Sequence, residues 1–515
     1  MSVTILIDAR VRYNMQPMAH GFTHRTPQTV GDPDQKMSTT SPTKLGLSLT
    51  SNLPIELLQL IFGYCTESED LPVGSHRTFP SWIAVTHVCS RWRAAALNCS
   101  PLWTLINTNT MGKRWIEAFL ERSKSSLIDV TVALRSYIFT TSFFLDVNEV
   151  IAFLTGCIRL RSLHIIGGLS NDVYKLLGAL HTATYIRSLS LNMENQSTHL
   201  VELPDNMFGG QAPIREAHFI TDCHVIAPRW LLRGITHFTS NQRIPLQILL
   251  ETLHQMPVLH SLTLERRILN WKGTDAPRDI QIPMQNLMYL TVDVDAGSSV
   301  VFALLHRRLA LPNGTKKRLR THKSIDSLNS KARNHSILAI PPSLRQIIRA
   351  ANGLQHIQFS GGVWEGSFRL WTGDTDYEEA EFSFEFSWDF GEFDQDFRAP
   401  IRDMVPLCDM LGVEGVRTLR IPRVSLEYCW FENLIDLLKK LHALEKLELC
   451  ADAKRGLCSA LDEGRTRAFL PELRSVHMLE ASSTKSDAAE MTEEELIRVL
   501  RGNAKHRPHG DYFVL

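Results

Sequence analysis

The residues of this 515-residue chain that could do chemistry do not gather into a catalytic pattern. Twenty histidines are present, and five stand at nearly matching places in short apolar segments: His164, His218, His260, His356 and His477. Imidazoles in a repeating position can serve as contacts to a partner or as a patch whose charge changes near neutral pH. Taken singly, each reads better as an exposed strand residue between apolar neighbours; taken as a group, the five mark where a ligand surface would lie. Arg161, Arg187, Arg215, Arg417 and Arg474 recur in the same way and support a ligand-holding surface. There is no GxSxG elbow, HExxH pair, Walker-type phosphate loop or dinucleotide fingerprint, so neither an enzyme activity nor a cofactor is expected. The nine cysteines are scattered, with no CxxC pair and no Cys/His cluster at zinc-ligand spacing. That predicts free thiols in a reducing compartment and no metal site.

Composition narrows the class further. Lys+Arg and Asp+Glu each total 55, so no net field draws the whole chain to nucleic acid or to an anionic membrane. A hydrophobic content of 44% with 21% charged residues is that of an ordinary globular protein. Asp8, Arg10 and Arg12 interrupt the short apolar start Val3–Ile7, so no signal peptide is expected, and no apolar run reaches membrane-spanning length. The expected location is the cytoplasm, the nucleus or both. Without secretion, the Asn98-Cys99-Ser100, Asn195-Gln196-Ser197 and Asn313-Gly314-Thr315 acceptor patterns are chance matches. The length exceeds one compact core and points to several domains or an extended repeat array.

The elements that would position the recurring histidines come from an internal repeat. Its unit is an apolar residue, two spacers, an apolar residue, one spacer and a third apolar residue. It occurs at Leu160-Leu163-Ile165, Ile186-Leu189-Leu191, Ile214-Ala217-Phe219, Leu259-Leu262-Leu264, Leu287-Leu290-Val292 and Leu354-Ile357-Phe359. It returns at Val416-Leu419-Ile421, Leu444-Leu447-Leu449 and Leu473-Val476-Met478. Neighbouring copies lie 26 to 29 residues apart, apart from the longer gaps, and a degenerate copy around Leu232–Phe238 would divide one of those. Periods of this size are those of leucine-rich repeats. Helical patterns precede several copies, as with Leu246, Leu249, Leu250 and Leu253 before Leu259. A helix–strand unit of this length cannot bury its own apolar face, so stacking into a solenoid over residues 108–480 is expected.

Two segments interrupt the period. Residues 305–335 are basic and read as a solvated loop, a nuclear-localisation patch or a phosphate-binding surface. Residues 374–397 hold ten acidic and no basic residues, and would bind a basic substrate or pair with the basic segment. Within them Phe382, Phe384, Phe386, Trp388 and Phe390 alternate with other residues, which predicts a strand with a buried aromatic face. Residues 481–515 form a tail in which Thr492 and Glu495 stand at capping-box spacing ahead of a short helix closed by Gly502. Residues 1–50 are rich in Thr, Ser, Pro, Met and Gln and are expected to be a disordered leader.

Residues 51–107 read as a separate small helical module. Pro54 is tolerated in a first helical turn, and Leu57, Leu58, Ile61 and Phe62 then share helical spacing. Gly63 and the polar run from Thr66 are expected to end that helix. A second helix is expected over Ser81–Val88 and a third over Ser90–Leu97, stopped by Ser100-Pro101.

The run Leu53-Pro54-Ile55-Glu56-Leu57-Leu58-Gln59-Leu60-Ile61-Phe62, the block Val88-Cys89-Ser90-Arg91-Trp92-Arg93 and the close Ser100-Pro101-Leu102-Trp103 together resemble an F-box. The segment between Phe62 and Val88 is longer than in compact F-boxes, with the excess in the polar loop Thr66–Pro80. The resemblance implies a small three-helix F-box followed by a leucine-rich-repeat-like solenoid, an α/β chain overall. It further implies docking to the Skp-family adaptor of a cullin-based ubiquitin ligase, with the solenoid holding an unknown target protein. The residues it assigns to the adaptor are Leu53, Pro54, Glu56, Leu57, Ile61, Phe62, Val88, Trp92, Leu102 and Trp103. The alternative is a non-catalytic repeat scaffold whose F-box-like module recruits no ligase. Membrane and nucleic-acid partners are not expected.

Overall fold

Pro54 stands directly before α1 (Ile55–Glu67), where a missing amide hydrogen costs no intrahelical bond. A computed structural model of the chain describes residues 53–67, 81–134, 145–193, 200–221, 223–242, 244–265, 281–295, 300–324, 346–349, 351, 353–361, 365–373, 376–389, 408, 411, 413–424, 431–450, 453–454, 457–458, 470–479 and 492–501. The expected leader over 1–50 lies outside them. Helix α1 does not stop at Gly63; it runs on to Glu67, because a single glycine costs only about 1 kcal/mol in a helix. A tight 3-10 helix, Ser81–His87, stands where the second helix was expected. Helix α2 (Ser90–Asn98) follows, and the Cys89 thiol accepts a bond from the Trp92 amide at 3.4 Å to cap it. A second 3-10 turn, Ser100–Trp103, holds Pro101 in its first positions.

The chain then enters a sheet at once, inside the segment expected to be purely helical. The strands in chain order are β1 (Leu105–Asn107), β2 (Ile128–Leu134), β3 (Leu160–Gly167), β4 (Ser188–Met193), β5 (Leu200–Glu202), β6 (Glu216–Thr221), β7 (His224–Ile226), β8 (His237–Ser240), β9 (Ser261–Leu264) and β10 (Ile282–Pro283). They continue with β11 (Tyr289–Asp295), β12 (Leu309–Ala310), β13 (Lys316–Ser324), β14 (Leu354–Gly361), β15 (Glu365–Thr372), β16 (Phe382–Asp389), β17 (Thr418–Val424), β18 (Lys446–Leu449) and β19 (Ser475–Met478). Fifteen form one sheet in the order β1-β2-β3-β4-β6-β8-β9-β11-β13-β16-β15-β14-β17-β18-β19. The fold is therefore mixed α/β, with helices and a large sheet. Two small parallel pairs, β5 with β7 and β10 with β12, stand apart from it.

Each apolar triplet places its last two residues on one strand face, with its first residue just before the strand or, for Leu160 and Leu354, opening it. Leu163, Leu189, Ala217, Phe238, Leu262 and Leu290 are direct cross-strand neighbours in that sequence. All of them are buried. The alternate residues lie on the opposite, half-exposed face, as the period of two requires. Strand β8 fills the gap between β6 and β9, with Phe238 and Ser240 as its buried residues and Ile235 buried just before it. The helices Val147–Leu154, Leu246–His254 and Phe431–Leu438 contribute Leu154, Leu249, Leu253, Leu434 and Leu438 to the core.

The basic segment is not a loop over residues 316–324. It is β13, an inner strand of the sheet paired with β11 on one side and β16 on the other. Its inward residues are Lys317, Leu319 and Thr321, with Thr315 before them, so an apolar triplet is missing although a strand is present. The Thr315 hydroxyl lies 2.9 Å from the carbonyl oxygens of both Leu287 and Pro312, which share its one proton, and so replaces an apolar contact with hydrogen bonding. Beyond β13 the chain reverses the build-up of the sheet. Strand β14 skips two places, β15 runs back antiparallel, and β16 closes onto β13. Phe382, Phe384 and Phe386 of β16 are buried. The Trp388 side chain and Phe390 lie outside what the structure describes. At the far end the helix Glu493–Leu500 packs Leu496 and Leu500 inward, and the Leu470 amide donates to the Leu500 carbonyl at 3.0 Å.

Candidate functional site

Helix α1 carries apolar residues on two faces. Leu58 and Phe62, four apart, are both 0% exposed. Leu57, Leu60, Ile61 and Tyr64 fall at i, i+3, i+4 and i+7 on the other side and are exposed by 45, 56, 36 and 64%. A helix serving only as a cap would not need the second stripe. Ile55 and Val88 are exposed as well, as are Pro54 and Glu56, while Leu53 is half-buried.

This divides the residues assigned to a docking role. Leu57, Ile61, Val88, Pro54 and Glu56 present surface. Phe62, Leu102 and Trp103 do not: they are core side chains and cannot be direct contacts as the structure stands. Trp103 packs edge-on against Trp82 at 4.9 Å and against Phe119 at 5.0 Å, and its indole donates to the Ala96 carbonyl at 3.0 Å. The Arg122 guanidinium lies 4.4 Å over its ring. Phe119 and Arg122 belong to α3 (Lys113–Arg122), so the helical segment and the first sheet elements share one core. Trp92 is intermediate: half-buried, with its ring 5.3 Å from that of Phe62. Leu60 and Tyr64 were missed by the motif comparison, although the i, i+3, i+4, i+7 spacing from Leu57 was readable in the sequence.

The half-exposed face of the sheet is the second surface, and it holds the recurring histidines unevenly. His164 and His218 share one cross-strand row with Ser190 between them. Burial pushes the pKa of both below the ordinary histidine value; the charge of His218 adds to the effect at His164. At His218, Glu216 opposes the shift and His237 adds to it. His260 lies just before β9, not in that row; its Nδ1 is 2.7 Å from the Val258 carbonyl oxygen. His356 stacks on Trp371 at 4.9 Å, and His477 is exposed on β19 beside Glu448. The five therefore do not form one patch. The recurring arginines align better. The Arg187 amide donates to the Arg161 carbonyl at 2.7 Å and the Arg215 amide to the Arg187 carbonyl at 2.8 Å, and all three side chains are exposed. Arg161 is paired with Asp129.

The densest charge cluster on this face joins the basic and acidic segments. Glu385 of β16 receives Arg369 Nε at 2.8 Å, lies 3.3 Å from Arg320 Nε, and accepts from the Tyr377 hydroxyl at 3.4 Å. Tyr377 sits 5.3 Å from the Arg318 guanidinium and 5.0 Å from that of Arg369, and burial, with the Glu385 charge, pushes its pKa up to about 12. Lys316 pairs with Glu379 and Arg318 with Glu378. Hydrogen bonding to Glu379 raises the Lys316 pKa, and the same bond lowers that of Glu379. Among the described residues, no three His, Cys, Asp or Glu side chains gather as a metal-holding group, and no helix is long and apolar enough to cross a membrane.

Residues 50–109 match the F-box-like family model. The match covers α1, both 3-10 turns, α2 and β1, and so includes the whole exposed apolar stripe. The chain thus carries an F-box-like domain. No curated protein is significantly similar to the chain.

Proposed function

We propose that this chain is the substrate-receptor subunit of an SCF-type ubiquitin ligase. The F-box-like segment docks a Skp-family adaptor, and through it a cullin. The repeat region, read as a leucine-rich-repeat-like solenoid, holds the target protein on the half-exposed face of its sheet. The observation that carries this reading is the coincidence of the family match with the stripe Leu57, Leu60, Ile61 and Tyr64. An apolar helix face of this kind docks in a partner's groove, with a few large side chains supplying most of the energy. The chain does no chemistry in this account. It raises the effective concentration of the target beside the charged conjugating enzyme. Cytoplasm and nucleus both suit this role.

The rival reading is a repeat scaffold whose F-box-like segment serves only as an N-terminal cap. The wide exposure of the α1 stripe favours docking, because a cap has no use for it. Co-expression with the adaptor separates the two. Wild-type chain is expected to recover adaptor and cullin, and Leu57→Asp to lose both while remaining folded. No recovery of adaptor with a folded wild-type chain would favour the scaffold, and equal recovery with both chains would place docking away from the Leu57 stripe.

A further inference from the structure

The half-exposed face of the sheet is covered at one place by the chain itself. Residues 376–381 lead into β16 and lie over β13, β16 and β15. Tyr377 and Ala380 form a small buried cluster there with Trp371, the Tyr377 ring standing edge-on to it at 5.9 Å. The cover explains why Ser383 and Glu385 of β16 are buried although they alternate with Phe382, Phe384 and Phe386 and so share the polar face. It behaves as an aromatic-anchored strap.

The strap carries two kinds of charge contact. Glu385, beneath it, is only 10% exposed and is held by Arg320 and Arg369, a buried arrangement that belongs to the fold. Glu378 and Glu379, on the strap, are 63 and 67% exposed in their side chains and rest on Arg318 and Lys316. Arg318 also donates to the Glu378 carbonyl at 3.1 Å. Exposed pairs of this kind contribute little to stability, so an external carboxylate can replace them at small cost. Beneath them Lys316 and Arg318 stand two residues apart on one strand face, with the half-exposed Tyr289 ring 5.4 Å from the Lys316 ammonium.

We propose that Lys316 and Arg318 form a docking site for an acidic peptide segment of the target protein, and that Glu378 and Glu379 occupy this site in the isolated chain as an internal stand-in. The inference rests on the sheet face being the target-holding surface but does not depend on adaptor docking. The strap sets a threshold: only a segment with carboxylates at matching spacing displaces both glutamates together. The site takes acidic peptide and rejects neutral or basic peptide.

The test uses the full-length chain without adaptor, so its outcome is independent of whether a ligase assembles. The probe is fluorescein-labelled octaglutamate, with octaglutamine as control, followed by fluorescence anisotropy. Glu378→Gln/Glu379→Gln is expected to bind octaglutamate roughly fivefold to tenfold tighter than wild type, the scale of removing two competing surface ion pairs. Adding Lys316→Gln to that variant is expected to return binding to the wild-type level or below. Lys316 is part-exposed at the strand start, so this change leaves the fold intact, and a thermal melt checks it. Glu117→Gln/Glu121→Gln on α3 changes net charge equally, far along the sequence from the strap, and is expected to have no effect. The proposal is overturned if the strap variant binds no tighter, if the α3 control tightens equally, or if the gain survives loss of Lys316.

Discussion

Residue by residue, the F-box-like segment separates side chains that hold the fold from side chains that face outward, and the two classes predict different phenotypes. Phe62→Ala removes a ring that is 0% exposed and is expected to cost about 3–5 kcal/mol, read as a lowered midpoint in denaturant melts. Leu57→Asp alters a 45%-exposed position and is expected to change stability by no more than about 0.5 kcal/mol. A Leu57→Asp chain as unstable as Phe62→Ala would place Leu57 in the core. The motif comparison picked out both residues alike because a linear match carries no information about which side of a helix faces a partner. The histidine pair gives a second residue-scale expectation. His164 and His218 have folded-state pKa values below the unfolded value of about 6.5. Between the two values the unfolded chain binds protons that the folded chain does not. Their contribution is therefore complete above the unfolded pKa and is lost as pH falls through and below it. Melting temperature should drop between pH 7.5 and pH 5, and His164→Gln/His218→Gln should flatten that slope. An unchanged slope in the double variant would assign the acid sensitivity elsewhere.

Among the elements, what the sequence revealed depended on how apolar the inward positions are. Where apolar residues fill them, the spacing located β3, β4, β6, β9, β11, β14, β17, β18 and β19 directly. Strand β13 escaped because its inward positions are Lys317, Leu319 and Thr321. Hydrogen bonding by Thr315 does there what a leucine does in the other copies. Its basic residues read as a solvated loop until the acidic strap supplied their counter-charges. The reversal through β14, β15 and β16 was equally invisible, since strand direction is set by pairing and not by composition. If β13 is an inner strand, Leu319→Ala should cost about 2–5 kcal/mol, whereas a loop residue would cost almost nothing. Chemical denaturation of that variant distinguishes the two.

For the whole molecule, the consequence is continuity. Trp103, from the F-box-like segment, packs on Phe119 of α3, and β1 pairs directly with β2. A fragment ending at residue 109 would leave one side of Trp103 bare, so residues 50–109 alone should fail to give a cooperative melt. A fragment extended through residue 134 should show more cooperative folding. At the other end, truncation after residue 440 removes β18, β19 and the closing helix, exposing the edge of β17 with the buried residues Leu419 and Ile421 beside it. Unprotected strand edges pair with other chains, so this truncation should aggregate; a soluble monomer would contradict the repeat assignment. The central claim, that the outward stripe of α1 recruits an adaptor, is tested most directly by titrating purified full-length chain with purified Skp-family adaptor in a calorimeter. The account predicts a one-to-one complex for the wild type and at least about a tenfold weaker one for Leu57→Asp/Leu60→Asp at an unchanged melting temperature. Absence of heat from a cooperatively folded wild type, or equal affinity for the variant, would contradict it.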